Sequence, residues 1–127
     1  MEFIKYNHNP KQNITNDCVI RAIAFATNKT WEQVYTALTE IGLKKKLMPN
    51  DRKVWKYYLK QLGYNMEKMP RKFDNKRYTV EEFIDEIARN NQTYIVKVAK
   101  HITVIKNEKL YDTWNCKNNC VGNYWII

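Results

Sequence analysis

The hydrophobic period of this chain changes near residue 92, and that change limits the folds open to it. Up to about residue 90, apolar residues recur at three- and four-residue spacing, as in Val34, Leu38 and Ile41. From "TYIVKVA" onward they alternate and are rich in β-branched and aromatic types, the pattern of strands. Helices first and antiparallel strands last predict an α+β layout. With 127 residues, 44% of them apolar, the expectation is one domain over residues 1–127 around a single core.

Only three Gly and three Pro punctuate the chain, so element ends must be read from caps. Residues 17–27 form an almost wholly apolar run, interrupted by Arg21 and preceded by the N-cap types Asn16 and Asp17. Thr30 with Gln33 makes a capping box for a second helix, for which Gly42 suits the C-terminal cap. Asn50 or Asp51 opens a third helix carrying Val54, Trp55, Tyr58, Leu59 and Leu62, ended by Gly63. "MPRKFDNKR" reads as an exposed connection, and Thr79 with Glu82 caps a short fourth helix through Phe83, Ile84 and Ile87. "HITVIK", the turn "NE" and "KLYDTW" make a hairpin, and "NYWII" a last strand.

Composition narrows the function classes. No run of eighteen apolar residues exists, so no membrane span is expected. The start "MEFIKYNHNP" lacks the pattern of a secretory signal, which predicts a cytoplasmic protein. Twenty-two Lys and Arg against thirteen Asp and Glu give a formal charge of +9, a field that attracts nucleic acid or an acidic protein. The odd number of cysteines leaves at least one free thiol. Cys116 and Cys120 form a lone C-x-x-x-C pair, two ligands short of a zinc site, so no metal is expected and the pair reads as two incidental thiols.

Cys18 is the residue with the strongest chemical context. An isolated cysteine is most often a small buried hydrophobe. A thiol at a helix N-terminus, however, ionises more readily, and a neighbouring imidazolium adds to that effect. His8 lies in a polar segment and is expected to be exposed. His101 opens a strand, and Asp112 ends the next one, eleven residues on. If the turn falls at Asn107 and Glu108, residues near 103 pair with those near 112. His101 and Asp112 then share one end of the sheet, where the carboxylate can orient the ring. Gln12, six residues before the cysteine, is available with the Cys18 N–H as an oxyanion donor.

"QNITNDC", Gln12 to Cys18, fits the pattern Q-x-x-x-x-D-C, which resembles the start of the papain-like bacteriocin-processing peptidase domains of ABC transporters. "DTW", Asp112 to Trp114, is similar to the "NSW" of papain-like enzymes. The resemblance implies a nucleophile at the start of a central helix packed on an antiparallel sheet. It implies Cys18 as nucleophile, His101 as general base and acid, and Asp112 as orienting residue. Gln12 becomes the oxyanion donor, Asp17 the acidic neighbour of the motif, and Trp114 the cover over the His–Asp bond, expected to be buried. Val19 and Lys100 stand where the family often carries Gly, and a bulky residue at 100 narrows the cleft. The motifs occupy residues 12–27 and 101–114 only.

The implied activity is cysteine hydrolysis of a peptide or isopeptide bond through a thioester, with no cofactor and a protein or peptide substrate. The same triad serves deamidation or acyl transfer to an amine. The alternative class is a basic interaction protein that binds nucleic acid or an acidic protein without turnover. "RKVWKYYLK" bears on that choice, since its aromatic residues could stack on bases. Its helical spacing favours a core-facing stripe instead.

Overall fold

Local capping chemistry starts three of the four helices where the sequence places them. A computed structural model describes all 127 residues, beginning with strand β1 (Glu2–Lys5) and helix α1 (Cys18–Thr27). Thr30 accepts from the Gln33 N–H and closes a capping box at the start of α2 (Trp31–Lys45). Asp51 accepts from the Lys53 N–H to open α3 (Arg52–Gln61), which is followed by strand β2 (Met66–Glu67). Thr79 and Glu82 repeat the box at α4 (Val80–Glu86). Strands β3 (Thr93–Val98), β4 (His101–Lys106), β5 (Lys109–Asp112) and β6 (Tyr124–Ile126) complete the chain.

Two expectations need correction. Helix α2 runs past Gly42 and ends at Lys46, which takes the left-handed conformation (φ 59°). Gly42 is there for space: a Cβ on it would lie 2.6 Å from the Leu47 carbonyl oxygen. The sheet is also mixed rather than antiparallel. β1 pairs parallel with β5, placing Phe3 opposite Leu110. The spatial order is β1-β5-β4-β3-β6-β2, and every other pairing is antiparallel.

Alternation along β3, β4 and β6 feeds two layers. Ile95, Ile102, Val104 and Trp125 face α1, α2 and α3, while Tyr94, Val96, Val98 and Ile105 face α4 and the segment around Val121. The central strands are covered on both sides, which explains their near-continuous apolar sequence. Helix α1 is buried over most of its circumference and lies against β4. Its first residue is thereby brought to the end of the sheet where β4 begins. Trp55 and Leu59 of α3 are core residues, as their spacing predicts, and Trp55 meets Trp125 edge-on at 5.3 Å. No helix is long and apolar enough to cross a membrane.

Candidate active site

Cys18 is the first residue of α1, and the residue before it does not cap the helix. Asp17 sits at the N-cap position (φ −110°, ψ 21°) without a capping bond. Its carboxylate turns inward and accepts from Arg21 Nε at 2.7 Å, Trp31 Nε1 at 2.9 Å and Asn9 Nδ2 at 3.1 Å. Burial alone would raise the Asp17 pKa, but these three donors outweigh it and hold the acid below its usual range. The Cys18 N–H, in the first turn, has no partner on the protein backbone.

The turn at Asn107 and Glu108 sets the other half of the site. Both residues have positive φ, 52° and 60°, as a two-residue hairpin turn with the twist of its strands requires. The register pairs Val104 with Tyr111, which puts residue 103 opposite residue 112 as the sequence predicts. His101 Nε2 and Asp112 Oδ2 are 2.6 Å apart, and the same ring lies close enough to Cys18 to lower its thiol pKa. With Nε2 on the carboxylate, Nδ1 is the nitrogen left for the sulfur. Asp112 also accepts from the Thr113 N–H at 2.7 Å, and Arg21 Nη1 lies 3.5 Å from it.

These contacts favour charge separation. Burial would push the half-buried Cys18 thiol up, yet its pKa is lowered by the His101 hydrogen bond and charge, the Ile102 N–H and Arg21. Burial would push His101 down, yet its bonds to Asp112 and Cys18 raise it to about 9. Asp112, buried but bonded to His101, is lowered. The opposite shifts of thiol and ring both favour the thiolate–imidazolium form over the neutral pair, and the two groups titrate as a coupled unit.

Not every predicted residue joins this group. Gln12 is turned away: its backbone takes positive φ (57°), and its amide donates to the carbonyls of Asn7 and Asn9 at 3.0 and 2.9 Å. The side-chain amide is thus spent inside its own loop and is not aimed at Cys18. Trp114 lies beside His101, ring centroids 5.0 Å apart, but it is 45% exposed rather than buried. It stands over the ring at the rim of a cavity. His8 is half-buried rather than exposed, held by Tyr6 Oη at 2.7 Å and the Lys29 carbonyl at 3.1 Å.

Two residues enter the site that the sequence did not assign to it. Arg21 bridges Asp17 and Asp112 beneath the triad. Its signal was its charge inside an apolar helix, four residues after an acid. Cys116 is wholly buried against the His–Asp pair, with donor atoms of the three residues within 4.8 Å of one another. Three donors could in principle approach a metal. Here burial and the Asp112 charge push the Cys116 thiol up to about 11, and the guanidinium of Arg21 flanks the same carboxylate. A protonated thiol and an adjacent cation oppose a dication. Cys120 is exposed, and all three cysteines are free.

Above the pair opens a cavity of about 540 Å³. Cys18, His101 and Trp114 border it, and Asn13 and Asn16 from the loop before α1 line one wall. Compared with known proteins, the chain matches no family model, no curated protein and no solved structure.

Proposed function

We propose that this chain is a papain-like cysteine hydrolase acting on peptide or isopeptide bonds. One observation carries the proposal: the His101 ring that is bonded to the Asp112 carboxylate borders the same cavity as Cys18 and acts on its thiol. A buried structural cysteine has no need of either. The sulfur also borders an open cavity large enough for a few residues of substrate.

The cycle follows from the arrangement. The Cys18 thiolate attacks the substrate carbonyl carbon, and the carbonyl π-electrons move to oxygen. The Cys18 N–H at the helix start is a donor for that oxyanion, and the Asn13 and Asn16 side chains border the same space. With Gln12 committed to its own loop, these groups replace it in the role the family pattern suggests. The C–N bond breaks as the His101 imidazolium protonates the leaving amine, and a thioester remains on Cys18. Neutral His101 then takes a proton from water, whose oxygen attacks the thioester. The acid leaves and the ion pair is restored. Asp112 keeps the ring oriented and stabilises its charged form throughout. Deamidation differs only in releasing ammonia, and acyl transfer only in using an amine instead of water.

Iodoacetamide labelling at pH 6 tests the proposal, with the exposed Cys120 as internal reference. Cys18 should alkylate at least about tenfold faster than Cys120, and His101→Ala should remove that advantage. Equal, slow labelling of the two thiols overturns it. A purely basic binding protein finds less support. The most exposed aromatic, Phe73, lies between Arg71 and Arg77, but those cations are used within the fold. Arg71 donates to the Asn75 carbonyl, Lys72 pairs with Glu82, and Arg77 donates to the Val121 carbonyl.

A further inference from the structure

The cavity beside Cys18 has a charge pattern that the hydrolytic chemistry does not require. Besides Arg21, which is paired with Asp17 and Asp112, three cations reach it from three separate elements: Arg52 at the start of α3, Lys97 on β3, and Lys100 in the β3–β4 turn. None of them forms an ion pair with any carboxylate of the protein. The single carboxylate on the lining, Asp17, is only 4% exposed and is consumed by Arg21, Trp31 and Asn9. Lys97 is half-buried, and its ammonium meets only the carbonyl of Val98.

Like charges gathered at one partly enclosed place repel one another, and the cost persists unless a ligand removes it. The effect is visible at Lys97. Burial lowers its pKa, and Arg52 and Lys56 lower it further, while the Cys18 thiolate acts in the opposite direction. The same ammonium therefore senses both Arg52 across the cavity and Cys18. The apolar lining is supplied by Trp55, Ile102 and Trp114, so the site offers a hydrophobic seat ringed by positive charge.

We propose that the substrate of this site carries a carboxylate next to the reacting carbonyl, held by Arg52, Lys97 and Lys100. The inference rests on the hydrolase reading above and assigns its substrate class: acidic peptides, cleaved or transferred beside a Glu or Asp side chain or a free terminal carboxylate. Arg52 is suited to bidentate contact, and the two lysines act as point charges. A substrate with Lys or Arg at this place meets three like charges and is rejected.

Two small alkylating agents of similar size, iodoacetate and iodoacetamide, make the test. The ratio of their rates at Cys18 is compared between the native protein and an Arg52→Gln, Lys97→Gln, Lys100→Gln triple variant, with Cys120 as reference. The His101 imidazolium also favours iodoacetate, but it is common to both proteins and cancels. The ratio should fall at least about threefold in the variant. The difference in ratio between the two proteins should shrink on raising the salt from 0.05 M to 0.5 M. A ratio unmoved by the substitutions overturns the inference, whatever its response to salt, while leaving fast iodoacetamide labelling, and the hydrolase reading, intact. Slow iodoacetamide labelling of Cys18 sinks the hydrolase reading itself. Acetyl-Glu-Gly and acetyl-Gln-Gly vinyl sulfones separate the sources. Preference for the Glu probe assigns a side-chain carboxylate, and iodoacetate preference without it assigns a free carboxylate end.

Discussion

At the scale of single residues, the site depends on a cation that is not one of the three groups of the proposed triad. Arg21 is 12% exposed and neutralises two acids that are each 4% exposed, Asp17 and Asp112. Arg21→Met keeps much of the stem and removes the charge, leaving buried Asp17 with only the neutral donors Trp31 and Asn9 and Asp112 with His101 as its one cation. Loss of one partner from a buried ion network costs about 3–5 kcal/mol, which urea denaturation will read. Asp17→Asn in the same background should recover part of that loss, because the two residues share one interaction. The coupled titration gives a second prediction. Cys18 ionises below its ordinary value, and His101 holds its proton to about 9. Iodoacetamide rates at Cys18 should rise in two steps, one below the usual thiol range and one near 9, where the ring turns neutral. His101→Ala should leave a single step moved up toward the ordinary thiol value of about 8.5, since burial is then opposed only by the Ile102 N–H and Arg21.

At the scale of elements, what was legible is what is local. Thr30–Gln33 and Thr79–Glu82 are capping boxes within four residues of chain, and both close as written. The Asn107–Glu108 turn fixed the hairpin register and brought His101 to Asp112. What was not legible depends on partners far away. Strand β1 has only four residues, and its parallel pairing with β5 spans most of the chain. Gln12 fits a motif by spacing, but its direction is set by the Asn7 and Asn9 carbonyls, which spacing does not reveal. Gly42 was read as a cap because glycine ends helices, whereas it admits the returning chain at Leu47. That difference reverses a common expectation. Gly to Ala within a helix usually stabilises by about 1 kcal/mol. Gly42→Ala should instead destabilise by about 1–3 kcal/mol through overpacking against backbone, measured as a lower urea midpoint with unchanged slope.

At the scale of the whole molecule, two layers meet at one edge and the site lies on the seam. The helical layer contributes Cys18 and Arg21, and the sheet contributes His101 and Asp112. The α+β class was legible from the change of hydrophobic period, because each layer announces its own. The excess of positive charge was legible too, but its concentration in one cavity was not. Arg52 is far in sequence from Lys97 and Lys100, and the three are gathered only when α3 and the β3–β4 turn flank the start of α1.

The seam has a consequence for how the protein is made. Synthesis delivers residue 18 long before residues 101 and 112, and at roughly 5–20 residues per second the interval lasts several seconds. During it the chain carries a cysteine with no imidazole to ionise it and no carboxylate behind the imidazole. On the ribosome the thiol therefore keeps its ordinary ionisation, and its lowered pKa arises only when the β4–β5 hairpin docks against the start of α1.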